Sequence, residues 1–167
     1  QNIYGMPTRI TDHGFSSTLD DVTTEIGYSR NLPAYIVDKI SWKFTNRGTN
    51  AGFNNFGTRL KGEYYIYDNR PNFGTAPTRG NLTSVKVWSG TANHGDRKTN
   101  WAGRYDSHGN LTEERDARWS KTTHAYDARR KLFRISTTNP LGHVTRTTWN
   151  HVCQTPAAFY DVNNLKT

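Results

Sequence analysis

Six histidines, one cysteine and an adjacent pair of glutamates are the side chains best equipped for chemistry here, so their spacing is the first question. The histidines are His13, His94, His108, His124, His143 and His151. A metal site needs ligands that converge, and no two of these stand at helical ligand spacing or beside a Cys/Asp cluster. His13 and His108 adjoin turn glycines, and the whole set reads as surface turn histidines. Glu113 and Glu114 are neighbours. On a strand, neighbours point to opposite faces, so the two cannot cooperate as acid and base. Cys153 occupies a turn position with His151 as the one histidine near it in register, too little for an activated nucleophile. No glycine-rich loop precedes a helix, which leaves a nucleotide phosphate without a cradle. The reading is a chain with no catalytic residues, no cofactor and no metal.

Composition narrows the class further. The chain has 167 residues, with 22 Lys+Arg against 14 Asp+Glu and a formal net charge of +8. A hydrophobic fraction of 33% is low, yet 5 Trp, 9 Tyr and 7 Phe are far more aromatic side chains than a disordered chain carries. No stretch approaches the ~20 apolar residues of a membrane span. With Cys153 as the sole cysteine there is no intrachain disulfide and no thiolate zinc site. The opening Gln1-Asn2-Ile3-Tyr4 offers neither an initiator Met nor a leader, which points to a fragment or a processed product.

What must position these side chains is a repeat. Asp106, Asp116, Asp127, Asn139, Asn150 and Asp161 follow one another at intervals of 10, 11, 12, 11 and 11 residues. Asp or Asn at the first position of a turn bonds its own backbone, and a glycine three residues on supplies positive φ. Asp106-Ser107-His108-Gly109 and Asn139-Pro140-Leu141-Gly142 both read this way. Two registers alternate. One has an aromatic before the acid or amide (Tyr105-Asp106, Tyr126-Asp127, Trp149-Asn150); the other lacks that regularity (Arg115-Asp116, Thr138-Asn139), and Tyr160-Asp161 falls in it despite its tyrosine. Segments such as Lys131 to Thr137 and His143 to Trp149 are rich in Thr, aromatic and β-branched residues and read as strands. A strand and a turn in about eleven residues make a hairpin arm, and repetition makes a meander.

Residues 1–103 read as the same architecture with longer loops, and 104–167 as its regular part, within one region. Val22 to Tyr28, Ala34 to Thr45, Arg59 to Tyr67 and Asn81 to Trp88 have strand composition. Asn46 to Thr58 and Gly90 to Gly103, rich in Gly, Asn and Thr, read as exposed loops. Gly, Pro, Asn and Thr interrupt every candidate helix. The fold class is all-β, an antiparallel meander.

The units Arg104 to Thr112, His124-Ala125-Tyr126-Asp127, Asn139 to Thr145 and Pro77 to Thr83 resemble the YD repeats of the rearrangement-hotspot (RHS) family, and a weaker likeness runs from Tyr4 to Thr167. The family includes bacterial polymorphic toxins, shell components of insecticidal toxin complexes, and teneurins. The resemblance implies a spiralling β-sheet wrapped into a hollow shell, with tyrosines stacking between strands and, in toxin members, a toxin polypeptide enclosed. It implies a secreted or cell-surface setting, with the rest of the same shell and an enclosed toxin domain as partners. The turn residues Tyr105, Asp106, Gly109, Asp116, Tyr126, Asp127, Asn139, Pro140, Gly142, Trp149, Asn150 and Asp161 are then structural. Departures from the pattern put Trp119, Arg130, Cys153 and Asn164 where the repeat glycine belongs. Asn139-Pro140 is similar to a self-cleavage element of family toxins, but with Asn in place of the acid it reads as an ordinary repeat turn.

Two other functions compete with a wall. A cell-surface recognition module for carbohydrate or protein needs an exposed aromatic platform, and Trp101, in the presumed loop Gly95 to Gly103, is the candidate. Nucleic-acid binding needs basic residues among aromatics, as in Arg115 to Lys121 and Arg129 to Arg134. Strand alternation accounts for both segments without a ligand, which counts against nucleic acid as a partner. A basic face turned toward an enclosed chain is a further option. Asn81-Leu82-Thr83 and Asn110-Leu111-Thr112 match the glycosylation sequon but fall on the repeat's turn exit.

Overall fold

The computed structural model describes residues 2–15, 20–49, 52–90 and 97–166. Eleven strands carry the fold: β1 (Arg9–Asp12), β2 (Val22–Asn31), β3 (Ile36–Arg47), β4 (Arg59–Tyr67), β5 (Leu82–Trp88), β6 (Arg97–Tyr105), β7 (Leu111–Asp116), β8 (Lys121–Tyr126), β9 (Arg134–Thr138), β10 (Val144–Asn150) and β11 (Thr155–Tyr160). They lie in one antiparallel sheet in chain order, so each strand pairs with its sequence neighbours. Such an order requires nothing but short turns between strands. A 3-10 turn at Leu32–Ala34 is the sole helical piece among the described residues. The chain divides into two compact units, 1–100 and 101–167.

The first unit owes its core to aromatics on one face of β3 and β4. Trp42 pairs with Tyr64 and Phe44 with Gly62 across the two strands. Phe44 and Tyr64 are fully buried. Trp42 stacks on Phe44 with ring centroids 4.6 Å apart, and Phe44 meets Tyr64 edge-on at 5.3 Å. On β2, Gly27 lies opposite Trp42, and a Cβ there would fall 2.2 Å from the indole. The missing side chain is what lets the large ring lie flat across the sheet.

The segment Asn46 to Thr58 departs from the exposed loop expected of its composition. Phe53 closes on Phe44 and Trp42 at 5.3 Å from each, and Phe56 lies 6.4 Å from Trp88. Phe73, from the connection between β4 and β5, adds a ring 4.8 Å from Tyr64. These connections roof the aromatic face, because removing rings from water outweighs the polarity of the residues between them. Asn46 is itself buried, donating to the Asn55 carbonyl and to Thr58 Oγ1. Arg59 is buried with them. Its guanidinium stands 3.9 Å from the Phe44 ring centroid and donates to the Gly52 and Phe53 carbonyls, tying loop to core.

Two further expectations need correction. Of the presumed loop Gly90 to Gly103, residues 97–103 belong to β6, and 91–96 lie outside the described residues. Alternation of Thr, Trp and small residues is weak as a strand signal, and pairing with β7 decides it. In the second unit β9 begins at Arg134, so Lys131 to Phe133 belong to the preceding turn, which is longer than the standard one.

The aromatic face yields a contrast. Phe44→Ala is expected to cost roughly 3–5 kcal/mol by denaturant unfolding, the range for a large core ring. Leu60→Ala, on an exposed side chain of β4, is expected to stay within about 0.5 kcal/mol of the parent. Similar losses from both would contradict this placement of the core.

Candidate functional site

The recurring Asp/Asn turn is the feature of this molecule in which residue type and geometry are most tightly linked. At Asp106, Oδ1 accepts from the backbone N–H of His108 at 2.8 Å and of Asn110 at 2.9 Å. The main chain closes the same loop, with Asp106 N–H donating to the Asn110 carbonyl and Gly109 N–H to that of Asp106. One side-chain oxygen thus satisfies the donors two and four residues on, which would otherwise rely on water. The pattern recurs with Asp116 on Arg118 and Ser120, Asn139 on Leu141 and His143, and Asp161 on Asn163 and Leu165. Asn serves as well as Asp because the bonds require only an oxygen acceptor.

Two turns are longer. Asp127 accepts from Arg130 through Oδ2 and from Leu132 and Phe133 through Oδ1, closing at Phe133. Asn150 accepts from Val152 and Cys153, and pairs with Thr155. The left-handed residue shifts with them. Gly109, Trp119, Gly142 and Asn164 take positive φ three residues after the acceptor. In the longer turns it is Lys131 (φ 55) and Gln154 (φ 56) that do so, not Arg130 and Cys153. Lengthening the turn moves the reversal one step along the chain.

The same device appears twice where the eleven-residue interval does not point. Asn2 Oδ1 accepts from Tyr4 and Met6, with Gly5 at φ 78. Asp68 gathers the N–H groups of Thr78, Arg79, Gly80 and Asn81 within 2.7–3.0 Å, its first donor lying ten residues on instead of two. The signal was present as Tyr67-Asp68, an aromatic followed by an acid, but the insertion hides the partner.

Three of the aromatics that precede an acceptor make a bond of their own. Tyr126 Oη donates to the Leu111 carbonyl, Trp149 Nε1 to that of Arg134, and Tyr67 Oη to that of Ile40, each on the preceding strand. Each ring thereby lies across a strand while its polar tip stays satisfied. Burial pushes the Tyr67 phenol up to about 12, and raises Tyr105 as well.

Glu113 and Glu114 point to opposite faces as expected. Glu113 pairs with Arg115 at 2.8 Å and with Arg104 at 4.0 Å. Glu114 begins a polar chain across four strands: Trp101 Nε1 donates to its Oε2 at 3.0 Å, His124 Nε2 lies 3.2 Å from its Oε1, and His124 Nδ1 lies 3.1 Å from Thr137 Oγ1. His124 is therefore no surface turn histidine. It is buried on β8, where Glu114 and Thr137 satisfy both ring nitrogens. Sequence reasoning missed it because Glu114 and His124 are ten residues apart and become neighbours only through the β7–β8 pairing. The carboxylate is engaged on both oxygens and the imidazole on both nitrogens, so this chain knits strands. Trp101 sits on β6, half-buried, with its ring over Gly103, where a Cβ would fall 2.3 Å from Cη2. Asn110 Nδ2 donates to Asp106 Oδ2 and to the Lys131 carbonyl, so its amide is already occupied. Cys153 is exposed, and no metal-ligand cluster occurs among the described residues. His94 lies outside them.

The turn bonds have electrostatic consequences. The N–H groups of Phe133 and Arg130, and then Leu132, hold the Asp127 carboxyl down at about 2. The Asn110 side-chain and backbone amides lower Asp106 likewise. At Asp68 burial pushes upward, but the four N–H donors together prevail and its carboxyl also lies below the ordinary range. A carboxylate depressed on folding stabilises the protein above its unfolded value of about 4, and that contribution is lost as pH falls through the folded value. Because Asp127 accepts on both oxygens and an amide has one, Asp127→Asn is expected to lower Tm at pH 7 and to flatten the stability change between about pH 4 and pH 2; an unchanged acid profile would contradict the assignment. Strain can be tested separately. Gly142→Ala, at φ 82 with open space around the new Cβ, is expected to cost about 1–2 kcal/mol, while Trp119→Gly is expected to be neutral or stabilising. Equal effects of one sign would refute the turn geometry.

Comparison with known proteins follows the same lines. The RHS repeat family model matches residues 105–144, and no curated protein matches the sequence. Among solved structures, a chain of TcdB2-TccC3 is similar over 98% of this chain at TM-score 0.65 and 9% identity. TcdB2-TccC3 without its hypervariable C-terminal region is similar over 99% at TM-score 0.64 and 10% identity. This chain spans about 12% of the length of those chains. Residues 105–144 thus match the RHS repeat, and the all-β sheet has the same fold as those structures.

Proposed function

We propose that residues 1–167 are one continuous repeat region forming a wall segment of an RHS-type β-shell that encloses a toxin polypeptide in a secreted toxin. The observation that carries this reading is how the turn acids are used. From Asp106 to Asp161 each carboxylate or amide oxygen accepts backbone N–H groups of its own turn. Groups committed in this way hold strands in order and are not available to bind substrate or move protons, which supports a non-catalytic scaffold. Strands joined in chain order by short closed turns suit a sheet that extends by adding units, each packed mainly against its neighbours. The likeness to TcdB2-TccC3 chains about eight times longer supports the idea that this sheet is part of a larger one.

The test uses the full-length protein that carries this chain. Electron microscopy is expected to reveal a hollow body with this segment in its wall, and a polypeptide C-terminal to it resists protease until the body is denatured. A solid particle, or equal protease sensitivity before and after denaturation, would overturn the reading.

A further inference from the structure

We propose that the end of the second unit formed by turns 106–110, 127–133 and 150–155 is a docking surface for an acidic segment of polypeptide that also carries aliphatic side chains. The three turns are neighbours in space. Asn110 Nδ2 donates to the Lys131 carbonyl, and the Phe133 ring lies 5.3 Å from His151. Arg129, Arg130 and Lys131 project from the middle turn, all exposed, and among the described residues no carboxylate lies within ion-pair distance of them. The carboxylates within these turns are Asp106 and Asp127, and both are engaged by the turns' own N–H groups. Three cations therefore stand free on a backbone that a buried acceptor holds in place, and a pre-ordered surface loses less entropy on binding.

The occupant follows from what surrounds the charges. Leu132 is 59% exposed beside them, and Val152, at the tip of the next turn, is 90% exposed. A partner that complements both features supplies carboxylates and aliphatic groups on one strand or loop. The rings of this end do not suit a nucleic acid. Phe133 is buried and offers no face on which a base stacks, and the half-buried Trp149 has one side against it at 4.9 Å.

Fluorescence anisotropy on the 167-residue chain tests this with three probes: a short peptide of alternating Glu and Leu, a poly-Glu peptide of equal length, and a single-stranded oligonucleotide. The Glu-Leu peptide is expected to bind most tightly and to weaken as salt rises from about 50 to about 200 mM. Replacing Arg129, Arg130 and Lys131 together by Ser is expected to weaken it about tenfold, since three exposed pairs are lost. Leu132→Ser with Val152→Ser is expected to reduce the Glu-Leu peptide's advantage over poly-Glu while keeping the salt dependence. Circular dichroism confirms that each variant is folded, and the salt series on the unaltered chain stands apart from any variant. Absence of binding, equal affinity of the triple variant, or an oligonucleotide bound as tightly as the peptide would overturn the proposal.

Discussion

Everything regular in this molecule depends on one bond pattern, a side-chain oxygen that accepts the N–H groups two and four residues further along the chain. A tight reversal turns backbone donors away from both strands, and those donors need acceptors. Asp or Asn at the strand end supplies the acceptor from within the turn. The next strand then leaves at a fixed position, and pairing register follows. When the turn lengthens, as after Asp127, the acceptor swings to later donors and the left-handed residue moves with it. The bond is kept and the geometry around it adjusts.

The two units complete the sheet by different means. The first buries rings: Trp42, Phe44 and Tyr64 on the strands, Phe53 and Phe73 from the connections, and Arg59 over Phe44. The second has shorter connections and, among the described residues, no comparable roof. There a polar chain from Trp101 through Glu114 and His124 to Thr137 crosses four strands. Buried polar atoms are tolerated when each is partnered, and such a network favours one register because a slip would strand its members. Tyr126 and Trp149 add bonds from a ring to a carbonyl of the preceding strand.

The regular part of the sheet was legible because its information is local. Acceptor, turn glycine and next strand fall within eleven residues, and the family resemblance rests on the same short units. The all-β class and the strands of 104–167 follow from them. What was not legible depended on contacts distant in sequence. Asn46 to Thr58 has loop composition, and only the rings of β3 and β4 explain why Phe53 and Phe56 turn inward. Asp68 has its partners at Thr78 to Asn81, beyond any local pattern. His124 looked like a turn histidine because nothing near it in sequence reveals Glu114 as its neighbour. The turn acceptors from Asp106 to Asp161 each accept N–H groups of their own turn. Arg130 and Cys153 were misplaced by one residue, because counting along the chain cannot reveal an inserted step.

Amide hydrogen exchange of the turns, read residue by residue by NMR, bears most directly on the central claim. The donors to the side-chain acceptors, Arg118 and Ser120 in one turn and Asn163 and Leu165 in another, are predicted to be protected although their turns are exposed. Ala117 and Val162, whose N–H groups take no part in these bonds, are predicted to exchange rapidly. Uniformly fast exchange across both turns would contradict the account, because the sheet's register would then have to be set by something other than the acid-opened turn.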